Sequence, residues 1–292
     1  MRDQFVRTTS DLLDEDPRTA LVLADISASE FDGARATHPD RVLNVGIRES
    51  LMVSVAGGLA LSGLRPIAHS YAPFLVERSF EQVKLDLGHQ DVTGVLVSIG
   101  ASYDAAQAGR THHAPGDVAL IDSLPNWTVQ VPGHPDEVPA LLRQAVSGED
   151  SVYLRLSVQE NAEPHAGTDG RLVPLRRGGR ALVVAVGPTL DAVLAGTDGL
   201  DVSVAYTGTV RPFDVAGLRE LAVADTVVLV EPYLAGTSSR VVDEALADRP
   251  HRTLALGVGR GEQRRYGTPH EHDVLHGLDP AGLRRSITDF LG

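Results

Sequence analysis

The feature that most constrains this chain is a regular alternation of short β-branched runs with segments of helix length. Ala20 to Ala24, Val92 to Val97, Thr128 to Val131 and Val152 to Leu156 are largely apolar runs of strand length, the pattern of strands buried on both faces. Between them, Glu49 to Leu61 carries Met52, Val53, Ala56, Leu59 and Ala60 at helical spacing, and Pro135 to Val146 opens with Pro-Asp-Glu, a favourable first turn. This alternation predicts an α/β fold in which helices cover both faces of a parallel sheet.

From Gln159 to Gly179 the pattern breaks into a polar stretch rich in Gly and Pro, the composition of a linker. Strands then resume at Ala181 to Val186, Val202 to Ala205, Thr226 to Val230 and Thr253 to Leu256, and the chain closes on a helix introduced by Asp279-Pro280. The expected division is a first domain over 1–158, a linker over 159–179 and a smaller α/β domain over 180–292. A length of 292 residues suits two such domains.

Composition removes several classes of function. With 39 acidic against 26 basic residues the net charge is −13, a sign that repels phosphate backbones and anionic lipid headgroups, so neither nucleic acid nor a membrane surface is an expected partner. The opening M-R-D-Q-F-V-R reaches D-L-L-D-E-D without the apolar run of a signal peptide. Runs such as Ala181 to Val186 fall far short of the roughly 20 residues that cross a bilayer, and a cytoplasmic location is expected. Without cysteine there is no disulfide, thiolate nucleophile or Cys-ligated metal.

The stretch richest in chemical meaning is Asn44-Val45-Gly46-Ile47-Arg48-Glu49, where a glycine-containing turn delivers a glutamate to the mouth of an apolar helix. By position alone Glu49 is a first-turn acid favoured by the helix dipole. Its continuation is more specific: G-I-R-E-S-L-M-V-S-V-A-G-G-L-A-L-S-G-L-R-P-I, then S-Y-A-P-F-L-V-E-R-S-F-E-Q-V, and later T-H-H-A-P-G-D-V-A-L-I-D-S-L-P-N-W-T-V-Q-V-P. Together these resemble the carboxy-terminal half of transketolase. V-R-P-F-D at Val210 to Asp214, V-E-P-Y-L-A-G at Val230 to Gly236 and H-G-L-D-P-A-G-L near the end extend the resemblance over essentially the whole chain. Several ordered motifs at family-like intervals outweigh any one of them.

The resemblance implies a pyrimidine-binding domain followed by a smaller carboxy-terminal domain, with thiamine diphosphate as cofactor. In that family a preceding half holds the diphosphate and a divalent metal, Mg2+ or Ca2+, through G-D-G and a downstream asparagine. This chain has no G-D-G, since Gly116-Asp117 is followed by valine, so the resemblance implies that the metal is held by a partner. A separate amino-terminal-half subunit is therefore implied, with two copies of each chain and active sites where the halves meet. Glu49 is implied to hydrogen-bond the pyrimidine ring nitrogen and exchange a proton there, Phe74 to stack on the ring, and Tyr71 to lie beside the same pocket. Asp25, in L-A-D-I-S, matches the family's A-D-L at a strand's carboxyl end; it is a cofactor contact or a cap for the next segment. His112 matches the histidine of G-E-D-G-P-T-H, which faces the substrate. His69 and His113 are further substrate candidates for which core or surface roles are equally compatible.

The match departs from the family before that histidine. Ala106 to Thr111 stand where transketolases have G-E-D-G-P-T, so Ala108 replaces an aspartate that contacts the sugar and Arg110 replaces a proline. Arg110 is a fixed cationic fork suited to carboxylate or phosphate. Val158 follows Arg155-Leu156-Ser157 where many members carry a phosphate-binding arginine. Elsewhere, Gly257 to Gly261 reads as a flexible loop, and His270-Glu271-His272 with His276 as a solvated tail. The expected function is thiamine-diphosphate-dependent transfer of a two-carbon ketol or acyl-anion unit from a ketose or keto acid to an aldehyde. The alternatives are the β subunit of a 2-oxo acid dehydrogenase and a silent subunit that stabilises a partner.

Overall fold

Every residue of the strand Thr19–Leu23 is buried because the sheet is covered on both sides: Val22 packs into one apolar cluster and its neighbours Leu21 and Leu23 into another. The same period of two separates Leu96 from Val95 and Val97, and Tyr153 from Val152 and Leu154. The computed structural model describes residues 1–292 apart from 166, 168 and 263.

The strands are β1 (Thr19–Leu23), β2 (Val42–Asn44), β3 (Arg65–Tyr71), β4 (Val95–Ile99), β5 (Trp127–Gln130), β6 (Ser151–Arg155), β7 (Val173–Arg176), β8 (Leu182–Val186), β9 (Ser203–Thr207), β10 (Thr209–Arg211), β11 (Thr226–Leu234) and β12 (Arg252–Val258). They form two sheets, in the orders β10-β5-β6-β4-β3-β1-β2 and β12-β11-β8-β9-β7. Pairing is parallel except for one edge strand in each, β10 against β5 and β7 against β9. The α/β class expected from the alternation is therefore observed twice.

Four strands, β2, β3, β7 and β10, fall outside the expected set. β7 lies within the stretch read as a linker, part of which, residues 166 and 168, is outside the described residues. β10 follows β9 in sequence, yet it pairs with β5 of the first sheet, so the carboxy-terminal half of the chain supplies the edge of the amino-terminal sheet. Val186, Val210 and Tyr233 enter the first sheet's apolar cluster and extend that continuity.

The helix Glu49–Leu61 has the bounds predicted from its periodicity. It packs against the segment Val83–His89 so closely that a Cβ on Gly57 would stand 2.5 Å from the Asp86 carbonyl oxygen, and Ser54 Oγ donates to Asp86 Oδ2 at 2.5 Å. Only glycine permits that approach, which fixes where the helix presents Glu49. The histidines expected in a solvated tail lie instead on a helix, Pro269–His276, with His272 buried. Thr268 and Glu271 form a reciprocal capping box and Pro269 occupies the first turn, so the proline begins the helix rather than excluding it. Likewise, Gly257 and Val258 belong to β12 and not to a loop. No described helix is long and apolar enough to cross a membrane.

Candidate active site

The connection from β1 runs to β2 on one side and then to β3 on the other, a reversal of strand order that opens a crevice at the carboxyl ends of the strands. Asp25 follows β1, Glu49 follows β2, Tyr71 ends β3 and Phe74 follows it, and His112 lies in the loop after β4. The topology thus brings residues far apart in sequence to one rim.

Glu49 opens its helix with only 3% of its surface exposed. Its carboxylate accepts a hydrogen bond from Arg78 Nη1 at 2.8 Å on Oε2, and no other side-chain partner for it occurs among the described residues. Oε1 is left open. Arg78 also lays its guanidinium over Phe74, with Cζ 4.3 Å from the ring centroid. It follows the segment Pro73–Glu77, whose wide turn is closed by Arg78 N donating to the Pro73 carbonyl five residues back; such π-type turns concentrate at functional sites.

Three rings complete the cluster. Tyr71 and Phe74 meet edge to face with centroids 6.1 Å apart, and the His112 imidazole stands edge-on to both, at 5.6 Å and 5.1 Å. Thr111 Oγ1 lies 3.0 Å from His112 Nδ1, which leaves Nε2 without a partner among the described residues. Gly100, at φ +71°, makes room for Tyr71: a Cβ there would lie 2.1 Å from the ring. Beside Tyr71 opens a cavity of about 460 Å³ reached by Arg2, Gly100, Gln107 and Val158. Asp104 lines it; burial pushes its carboxyl up to about 6, against the opposing effect of hydrogen bonds from the Val158 amide and Ser157 hydroxyl.

The other sequence candidates are engaged in contacts within the chain. Asp25 exchanges hydrogen bonds with Asn44, whose Oδ1 also accepts from the Gly46 amide, so it braces the turn that leads to Glu49. His69 is fully buried, its Nδ1 against the Val97 carbonyl at 2.9 Å and its Nε2 against Ser27 Oγ at 3.1 Å, and burial pushes it down to about 4. Arg110 pairs with Glu262 at 3.1 Å and donates to the His113 carbonyl. His113 is buried edge-on against His272, which itself stacks on Tyr103. These last contacts clamp the loop carrying His112 to the carboxy-terminal part of the chain. Among the described residues no group of three or more His, Cys, Asp or Glu side chains could hold a metal ion.

Arg78 and Asp104 were missed in the sequence. The signal for Arg78 was its place four residues after Phe74, which on a helical turn sets a cation beside an aromatic ring. Its pairing with Glu49 is a tertiary contact that spacing cannot show.

Two parallel-dominant sheets in this order, with an acidic helix start and edge-to-face rings at the carboxyl edge of the first, define the carboxy-terminal half of a transketolase-type enzyme. Residues 1–163 match the family described as transketolase, pyrimidine binding domain, and the chain belongs to the transketolase family. It is 53% identical to an uncharacterized 33.6 kDa protein in the fasciation locus of Rhodococcoides fascians, across 99% of this chain and 94% of that one. It is 30% identical to one subunit of the apulose-4-phosphate transketolase of Actinobacillus succinogenes, across 82% of each. Identity to the 1-deoxy-D-xylulose-5-phosphate synthase of Alkalilimnicola ehrlichii is 34% across 98% of this chain but 47% of that one, so this chain spans about half of it. Among solved structures, a split-gene transketolase described as an inactive beta4 tetramer superposes with a TM-score of 0.82 at 26% identity, covering 99% of this chain and 97% of the other.

Proposed function

We propose that this chain is the carboxy-terminal subunit of a split transketolase-like enzyme that transfers a two-carbon ketol unit from a ketose or keto acid to an aldehyde. The single observation that carries the reading is the Glu49 carboxylate, buried, with Oε2 held by Arg78, whose guanidinium also lies over the Phe74 ring. An amino-terminal-half subunit supplies the diphosphate and divalent-metal site, in a complex of two copies of each chain. Single subunits of two transketolases, for apulose 4-phosphate and for 6-deoxy-6-sulfo-D-fructose, are 30% identical to this chain and support that arrangement. The inactive beta4 assembly of the split-gene neighbour supports the need for a complementing chain.

When bound, thiamine diphosphate supplies the electron sink that carbon–carbon cleavage requires. The task of Glu49 is to meet the pyrimidine ring nitrogen and share a proton with it, in surroundings where exclusion of water strengthens the contact. Phe74 offers an aromatic face, worth about 0.5–1.5 kcal/mol beyond simple burial for an offset stack. His112 Nε2, without a partner among the described residues, is free to bind a substrate oxygen or to relay a proton.

The test is reconstitution with the complementing chain, a ketose donor and an aldehyde acceptor. Turnover is expected only from the mixture and is lost with Glu49→Ala; full activity of that variant would refute the role of Glu49. Relatives named as 1-deoxy-D-xylulose-5-phosphate synthases, at 31–34% identity, favour a second reading in which the unit comes from a keto acid. Release of carbon dioxide from a 2-oxo acid by the reconstituted pair selects that reading over a ketose donor.

A further inference from the structure

Arg78 touches both groups assigned to the cofactor, and neither contact is incidental in geometry. One nitrogen of the guanidinium meets Glu49 Oε2 at 2.8 Å, while Cζ of the same group lies over the Phe74 ring, 4.3 Å from its centroid. Arg78 is half exposed and Glu49 almost fully buried, so the carboxylate reaches its cation at the mouth of the pocket rather than inside it. Phe74 is thereby covered by the cation, and its edges are met by Tyr71 and His112.

The geometry points to Arg78 as a positioning residue for Glu49, an inference that rests on the cofactor reading above. By occupying Oε2 it stops the carboxylate from presenting two equivalent oxygens and leaves Oε1 as the single acceptor for the pyrimidine ring nitrogen. Stacking fixes the guanidinium plane, a task for which the planar arginine fork is suited and the compact lysine ammonium is not.

The experiment compares wild type, Arg78→Met and Arg78→Lys, each reconstituted with the complementing chain. Dissociation constants are measured by calorimetry, in the presence of Mg2+, for thiamine diphosphate and for an isostere in which carbon replaces the pyrimidine nitrogen facing Glu49. Wild type prefers the cofactor over the isostere. Arg78→Met should reduce that preference about ten-fold, since loss of one charge-assisted, oriented contact is worth roughly one decade. Arg78→Lys should reduce it about three-fold, because charge is kept and the stack is lost. An unchanged preference in Arg78→Met overturns the proposal, as does tighter cofactor binding, which would make Arg78 an obstruction. Equal weakening of both ligands also overturns it, by reducing Arg78 to general support of the pocket. Failure of wild type to bind the cofactor refutes the split-enzyme reading itself, a distinct result.

Discussion

Two carboxylate–arginine pairs stand close to the same loops, and they are built in opposite ways. Glu49 meets Arg78 at 2.8 Å with the arginine half exposed and one carboxylate oxygen left open. Asp117 meets Arg155 at 2.7 Å with both side chains sealed from solvent. Around the second pair the bonds are closed: Tyr153 donates to Asp117, Arg155 Nη2 donates to Ser102 Oγ, and Ser102 Oγ donates to the Pro232 carbonyl of the second sheet. The first pair keeps bonding capacity in reserve for a ligand, while the second exhausts it to join the two sheets. Under the proposed function the same residue chemistry serves reaction in one place and architecture in the other, and the difference lies in what remains unsatisfied.

The largest effect that would sharpen this contrast is kinetic. Glu49→Gln is expected to lower turnover of the reconstituted enzyme by roughly 10²–10⁴-fold, the range for loss of a positioned proton-transfer group, with no change in the urea midpoint of the chain. A large fall in that midpoint would break the comparison by making Glu49 structural. Asp117→Ala should do the reverse and destabilise the chain by about 3–5 kcal/mol, because it strands a buried arginine charge. Equilibrium urea unfolding measures this, and wild-type stability in that variant would show that the second pair does not hold the sheets together.

Acid should act through the closed region. Burial lowers the affinity of His113 for a proton, with His272 and then Arg110 adding to the effect, and burial likewise lowers that of His276, with His272 beside it. A histidine whose folded value lies below its unfolded 6.5 gives stability that is complete above that pH and is lost as pH falls through the folded value. Between pH 6.5 and 5.5 each such group is expected to lower stability. Unfolding followed at both pH values should show a smaller loss for His276→Phe than for wild type; an equal loss would remove the cluster from the acid response. His69, down to about 4, adds its own loss at lower pH. The smallest effect concerns the open region: Phe74→Leu should weaken cofactor binding roughly two- to ten-fold, the equivalent of one aromatic stack. A calorimetric titration checks it, and unchanged affinity would return Phe74 to plain core.

Local rules made much of this legible. The bounds of the Glu49 helix followed from its apolar periodicity and first-turn acid, and β1, β4, β5, β6, β8, β9, β11 and β12 from their β-branched runs. β2, β7 and β10 were not legible, because each is an edge strand of three or four residues whose existence depends on a distant partner, and β3 mixes proline, histidine and serine among its apolar residues. The His272 helix was present in the sequence as T-P-H-E, a capping box with proline at the first position, but the proline invited the opposite reading. At the site, Glu49, Phe74, Tyr71 and His112 were found through ordered motifs, whereas Arg78 and Asp104 act through contacts across 29 and 53 or more residues that no spacing encodes.

The most direct measurement is a calorimetric titration of thiamine diphosphate with Mg2+ into this chain alone, into the G-D-G-containing complementing chain alone, and into their equimolar mixture. Tight binding of one cofactor per pair of chains in the mixture, with neither chain alone matching it, is the predicted result. No binding in the mixture, or equal affinity of this chain by itself, would contradict the assignment of Glu49 to the activating half of a site completed by a partner.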